Sequence, residues 1–377
     1  MATRILIADH RHPASGIRAR LQPVADLERL GAAWRALEAR SEASFFQSWG
    51  WIGCWLRHLG ADRQPLAAIA ERHGEVVGLG VFVPGRERRF GIVRARTLRL
   101  HESGEPALDP LYVEHNGLVA APAHLPQVWT AVVAVLTRSG FWDELVLGGL
   151  GPRAAGACIA AARGHRLDLV VRQRRAGAYL DVEGLRRSGR AFADGLSRNT
   201  RHQLVRTRRL YEASGPLSLR SAGTVEEALA MLDRLKLWHQ RTWRRRGQPG
   251  CFATPAFERF HRDLIRDRFG HGEIRLACAA AGDRPFGYLY NFARGDRIYA
   301  YQSGFDYARD GRFKPGLLSH ALAIEQALRD GFAAYDFMAG ENRLKASFAS
   351  HREDMTWLSV RRPSALSWLE RRLAGLG

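Results

Sequence analysis

The chain is short of lysine. Of its 57 lysine and arginine residues only Lys236, Lys314 and Lys345 are lysine, so the formal charge of +19 is carried almost wholly by arginine. A basic surface draws polyanions without reading any base sequence, but a GC-rich coding sequence yields the same arginine bias, so charge alone does not assign nucleic-acid binding. Cysteine is scarce as well: Cys54, Cys158, Cys251 and Cys278 stand far apart and form no CxxC pair. That excludes a zinc site or disulfide framework of recognisable spacing and predicts reduced thiols in the core. Long apolar runs are missing too. No stretch reaches the ~18 to 20 residues that a membrane helix needs, and the start, "MATRILIADHRHPASG", is too short in its apolar part for a secretory signal. The reading is a cytoplasmic protein.

What is present is an ordinary globular composition, 46% hydrophobic and 25% charged over 377 residues, long enough for two domains. The first half alternates helices and strands: "LERLGAAWRALEARS" and "WGWIGCWLRHLG" have helical spacing, "PLAAIAERHGEVVGLGVFVPG" reads as a hairpin, and "LYVEHNGLVA" reads as a strand. A helix at "LPQVWTAVVAVLTRSG", closed by glycine, and a strand at "WDELVLGGL" follow. Residues 183–215 break the rhythm with a Gly- and Arg-rich start and a charged helix. Arg198, Arg201, Arg206, Arg208 and Arg209 there form either a basic stripe for RNA or phosphate, or the solvated face of a helix between domains. The second half repeats the grammar of the first. A strand at "PLSLRSA" precedes a long helix with Thr224 and Glu227 as a capping box, then a second helix, "TPAFERFHRDLIRDRFG". Three strands joined by tight turns, another helix and a buried strand, "AAYDFMAG", complete it.

The junction before the last long helix, "GRFKPGLLSHALAIEQAL" (residues 311–328), has the makings of an anion site. A helix N-terminus presents unpaired amides and the positive end of its dipole. Gly316 permits close approach, Arg312 and Lys314 add charge, and Pro315 suits the first turn. A strand-to-helix turn without any ligand uses the same residues.

Residues 299–349, from "YAYQSGFD" through "KPGLLSHALAIEQALRDGFAAYDFMAGENRLKASFA", resemble the GNAT N-acetyltransferase superfamily, in the branch of FemAB-like peptidyltransferases and CelD-type acetyltransferases. "SFFQSWGWIGCWLRHLG" (residues 44–60) and the charged helix near Arg198 are similar to other parts of that branch. The resemblance implies an α/β fold of tandem GNAT-like domains, each a mixed, largely antiparallel sheet flanked by helices. It implies an N-terminal domain over 1–182 for acceptor recognition or structure, a linking helical segment over 183–215, and a C-terminal domain over 216–377 with the acyl-donor cleft.

The implied activity is transfer of an acyl group from acetyl-CoA or another acyl-CoA to a small-molecule or saccharide acceptor. Two alternatives stay open: aminoacyl-tRNA-dependent peptidyl transfer, with tRNA as partner, and a non-catalytic binding protein of polysaccharide or envelope assembly. Gln302, Ser303 and Gly304, with Arg312, Lys314, Gly316 and Leu317, are the implied cofactor contacts. Asp336 and Glu341 are the candidate bases, and Tyr301, Tyr299 or Tyr335 the candidate acid. Lys345, Trp51 and Arg201 are candidates for the acceptor, with Trp55 and His101 as weaker ones. His320 and Asp336 also suit buried structural roles, and Trp51 and Trp55 suit a core. Two departures stand out: the superfamily's Q/R-x-x-G-x-G/A loop is not reproduced around Gly311–Gly316, and Leu344 occupies the place of a tyrosine that donates a proton.

Overall fold

The computed structural model describes residues 9–11, 16–60, 62–89, 93–106, 109–111, 113–307 and 310–363; the first eight residues of the opening segment lie outside them. The chain divides into two units, one built from the residues up to Arg174 together with those from Asp354 onward, the other from Arg175–Glu353. This division departs from the expected boundaries at 182 and 215. The charged helix over Arg198–Glu212 is folded into the second unit through buried Leu204 and Tyr211, and a strand near the chain's end belongs to the first.

In the first unit, strands β1 (Asp9–Arg11), β2 (Ile17–Pro23), β3 (Leu66–Arg72), β4 (Glu75–Arg89), β5 (Val93–Leu100), β6 (Val119–Ala120) and β7 (Glu144–Leu150) are followed by the start of β8 (Asp168–Asp181). The sheet runs β1-β2-β3-β4-β5-β7, and the C-terminal strand His351–Arg361 pairs antiparallel with β7. Strands β5 and β7 are parallel, through Thr97–Arg99 against Glu144–Val146. The β3–β4 hairpin turns on His73 and Gly74, both at positive φ, the geometry that matches the twist of adjoining strands. The strand expected over "LYVEHNGLVA" shrinks to β6, because His115 and Gly117 at positive φ bend the chain out of extended pairing.

Helices α1 (Leu27–Glu38), α2 (Trp49–His58), α3 (Leu125–Ser139) and α4 (Pro152–Gly164) pack on this sheet. Helix α1 is capped by Asp26, α2 by Ser48, and α3 ends at Gly140 in the left-handed region. Five tryptophans, Trp34, Trp51, Trp55, Trp129 and Trp142, are fully buried. Glu144, at the start of β7, has no exposed side-chain surface. Burial works against its charge, but the Ser359 hydroxyl and the Arg172 guanidinium, 2.8 Å away, hold its carboxyl down to about 2.

In the second unit the sheet order is β8-β13-β12-β11-β10-β9, with β9 (Leu217–Ser221), β10 (Ile274–Ala281), β11 (Arg284–Arg294), β12 (Arg297–Phe305) and β13 (Ala334–Ala339). Here β12 is parallel with β13. The helices are α5 (Val182–Arg187), α6 (the Arg198–Glu212 helix), α7 (Val225–Arg245), α8 (Pro255–Arg268), α9 (Pro315–Arg329) and α10 (Arg343–Phe348). Strand alternation divides their contacts. Leu289 and Ile298 face α6 and α9 through Leu204, Leu318 and Ile324, whereas Tyr290, Phe292 and Tyr301 meet His261 and Phe257 of α8.

Among the described residues no helix is long and apolar enough to cross a membrane, and no group of three or more His, Cys, Asp or Glu is arranged to hold a metal ion.

Candidate active site of the second unit

The site begins where two parallel strands part. Strands β12 and β13 pair only through Arg297–Tyr299 against Ala334–Asp336. Beyond Tyr299, β12 stays on β11, with Gln302 opposite Tyr290, Ser303 opposite Leu289 and Gly304 opposite Tyr288. The edge of Gln302–Phe305 that faces β13 is therefore open. The register shifts by one residue at Tyr301, a bulge that re-aims the strand as it leaves its neighbour.

Helix α9 starts at the mouth of this opening. Lys314 is the N-cap residue, Pro315 the first helical position, and the first intrahelical bond runs from the Leu318 amide to the Lys314 carbonyl at 3.1 Å. The Gly316 and Leu317 amides precede it and have no carbonyl four residues back to meet. Gly316 is buried against aromatic side chains: a methyl there would stand 3.2 Å from both a Phe305 ring carbon and the Tyr307 hydroxyl. Lys314 is exposed, and the Arg312 side chain is held by Asp310, whose carboxyl the Arg312 amide and guanidinium keep below its ordinary value.

Inside the opening lies His320, 6% exposed, with its ring 6.0 Å from Phe305 on β12 and 6.1 Å from Phe337 on β13. Its Nδ1 is 3.0 Å from the Tyr335 hydroxyl, which accepts from the Asn291 amide at 3.4 Å. Burial, with Lys345 nearby, pushes the imidazole down to about 4, so it is neutral at pH 7. Burial raises the Tyr335 phenol above its usual range.

Several residues expected at the site are committed elsewhere. Asp336 is buried and accepts from Arg297 Nη1 at 2.8 Å and from the amide of Met338, a residue at positive φ, at 2.7 Å; it braces the end of β13. Glu341 is exposed and 4.0 Å from Arg352, outside the opening. Tyr301 is packed in the α8 aromatic cluster, 4.7 Å from Phe292. Lys345 donates to the Met338 and Ala339 carbonyls at 3.0 and 2.6 Å, tying α10 to the strand end.

Gly304 is needed for packing: a Cβ there would lie 3.0 Å from Leu235 Cα and carbonyl carbon, and closer still to its oxygen. Trp51, with no exposed surface, is part of the first unit's core with Phe45 and Phe46. His101 is pinned at 2.8 Å to Asn116, and Trp55 is buried. Arg201 donates to the Ala193 and Asp194 carbonyls at 2.9 and 2.8 Å, and Arg208 pairs with Glu325 at 2.7 Å. The arginine stripe of α6 thus keeps Arg198, Arg206 and Arg209 exposed. Asn291 was invisible in the sequence, since nothing in "YLYNFARG" marks it as the partner of a tyrosine 44 residues on.

The second unit's core elements match a family model described as an acetyltransferase (GNAT) domain over residues 198–346. A search of curated sequences finds no match. Among solved structures the chain is similar to FemX, at 10% identity and a TM-score of 0.56, over 89% of this chain and 96% of that one. It is also similar to the C-terminal domain of a putative lysylphosphatidylglycerol synthetase from Agrobacterium fabrum (10% identity, TM-score 0.53, 90% and 93% covered). A third likeness is to a conserved protein of unknown function from Bacteroides thetaiotaomicron (12% identity, TM-score 0.53, 88% and 97% covered). At these identities the likeness is one of fold.

Proposed function

We propose, from the premise that residues 198–346 form a GNAT acetyltransferase domain, that the chain transfers an acyl group from an acyl-CoA to an amine or hydroxyl of a small-molecule or saccharide acceptor. The observation that carries this reading is the opening between β12 and β13 at the first turn of α9. Its amides at Gly316 and Leu317, with exposed Lys314 beside them, suit a pyrophosphate. The open edge of Gln302–Gly304 offers backbone groups to the pantetheine arm and an N–H to the thioester carbonyl, a donor to the charge that develops there.

The transfer needs an attacking nucleophile held against the carbonyl, a group to take its proton, and a donor for the oxyanion or leaving thiolate. Asp336 and Glu341 do not suit the proton-taking role, and Leu344 cannot donate. His320 fits the donor's place as a neutral imidazole, and the nucleophile's proton passes to water. The Asn291 amide donates to the Tyr335 oxygen, the phenolic proton is then directed at His320 Nδ1, and the ring carries its own proton on Nε2 as a hydrogen-bond donor within the opening. A neutral imidazole is a known electrophile for a carbonyl.

Calorimetric titration with acetyl-CoA and longer acyl-CoAs tests the reading. Binding is expected to weaken roughly tenfold in Lys314→Ala, the loss of about one charge-assisted contact. Absence of binding by every acyl-CoA sinks it.

One observation favours a second reading, aminoacyl-tRNA-dependent transfer. The end of α7 exposes Trp243 beside Arg246, 5.7 Å from its ring, with Arg244 and Arg245 adjacent and Tyr307 also exposed. Aromatic faces among arginines suit single-stranded nucleic acid. Strong tRNA binding that falls steeply with salt and is lost in Trp243→Ala supports it; weak, salt-insensitive binding removes it.

A further inference from the structure

The first unit has an opening of its own at the corresponding place. Its parallel strands β5 and β7 pair through three residues, as β12 and β13 do, and part beyond Arg99 and Val146. A cavity of about 280 Å³ lies there, near the lower end of small-molecule sites. Leu147 and Leu358, both fully buried in the core and opposite each other across β7 and the C-terminal strand, lie beneath it. Half-buried Trp357, Arg99, Glu102 and Asp109, exposed Gln173 and Arg172, and Val146 complete the lining.

The charges of this lining are already balanced. Arg99 is ion-paired with Glu87, and Arg172 lies 2.8 Å from Glu144 and 3.6 Å from Glu87. Asp109 accepts from the Ser103 amide and hydroxyl at 2.9 and 2.6 Å. Glu102 alone keeps a carboxyl without a hydrogen-bond partner among the described residues, and it is pressed against β7: a methyl on Gly148 would stand 2.9 Å from its Cδ. An aromatic wall, a planar amide, two neutralised guanidiniums and an uncommitted carboxyl match paired hydroxyls and the C–H face of a small ring. An anion would meet Glu102 and Asp109 with no free cation to offset them. The helix that follows this opening, α3, starts at "APAHLP", with neither glycine nor lysine before it, so it lacks the pyrophosphate features of α9.

We infer that this cavity is a binding site for one neutral sugar ring, with Glu102 accepting a pair of hydroxyls and Trp357 packed on the ring's apolar face. Burial and Asp109 push the Glu102 carboxyl up, against the pull of Arg99 and Arg172, to about 7. It therefore has both acceptor and donor forms available near neutrality. The site stands apart from the acyl-CoA reading, since its residues belong to the other unit.

Saturation-transfer NMR and calorimetry on the full chain, with glucose, galactose, mannose and N-acetylglucosamine, test the inference, with glucose 6-phosphate as the charged comparison. At least one neutral sugar is expected to bind, roughly tenfold more weakly in Glu102→Gln, which keeps the side chain's shape, and beyond detection in Trp357→Ala. Lys314→Ala is expected to leave sugar binding unchanged, which separates this site's failure from that of the acyl-CoA site. Three results each overturn the inference: no binding of any neutral sugar at ~50 mM, binding of the phosphorylated sugar alone, or unchanged affinity in both variants of the cavity with circular dichroism showing them folded.

Discussion

His320 Nδ1 stands 3.0 Å from the Tyr335 hydroxyl, so a strand and the helix after β12 share one buried hydrogen bond at the opening between β12 and β13. Tyr335→Phe removes the bond and leaves the ring's packing. If the imidazole is oriented by that hydroxyl, kcat for acyl transfer falls roughly tenfold while KM for the acyl-CoA is little changed, the cost of a misdirected donor. Steady-state kinetics on both constants check this; equal change in KM alone contradicts it.

His101, His239 and His320 are each pushed by burial to about 4. Their folded values lie below the ordinary 6.5, so the unfolded chain takes protons first as pH falls. The stability held by their neutral forms is complete above pH 6.5 and is lost between there and 4. Denaturant unfolding across that window is expected to show a declining free energy, and His320→Gln to flatten the decline.

Glu102 has the opposite sign. Its folded value of about 7 lies above the ordinary 4.5, so its contribution is intact below 4.5 and is lost as pH rises through 7. Glu102→Gln is expected to raise the melting temperature at pH 8 and to leave it unchanged at pH 4, as differential scanning fluorimetry at both values reads.

Asp336 is expected to matter for folding more than for turnover. Removing one partner of a buried pair leaves the other charge uncompensated, about 3 kcal/mol by precedent, so Asp336→Ala should lose stability of that order through Arg297. Activity per folded molecule should stay near that of the parent. A loss of kcat beyond about a hundredfold in a folded Asp336→Asn protein restores it as a base.

Gly304 and Gly316 separate packing from ligand contact. Gly304→Ala drives a methyl into the Leu235 backbone, which cannot give way as a side-chain tip can; it should cost about 1 to 3 kcal/mol of stability. Gly316→Ala meets only ring and hydroxyl atoms at 3.2 Å, and is expected to weaken acyl-CoA binding with little change in melting. The two melting curves and one titration decide it.

Most elements were legible because their signals are local: the Thr224 cap, Gly140 closing α3, the His73–Gly74 turn and the tight turns joining β10 to β12. The helix start within residues 311–328 was also readable, since a proline and a glycine there say where amides lie open. The rest depended on pairings that no local pattern encodes. Asp336 has the chemistry of a base in sequence, and only Arg297, 39 residues earlier, turns it into a brace. Lys345 reads as a surface charge until the Met338 and Ala339 carbonyls claim it. The arginine stripe of α6 splits the same way, two of its members being spent on carbonyls and on Glu325.

The return of His351–Arg361 to β7 has a consequence for synthesis. All seven residues of β7 are buried, yet its partner emerges from the ribosome some two hundred residues later, after the whole of Arg175–Glu353. The later-made unit can therefore close first, while the earlier one waits with a raw strand edge that invites pairing with other chains. Ser359 and Arg361 then bring the groups that satisfy Glu144. The first unit is, in the order of birth, the last to be finished.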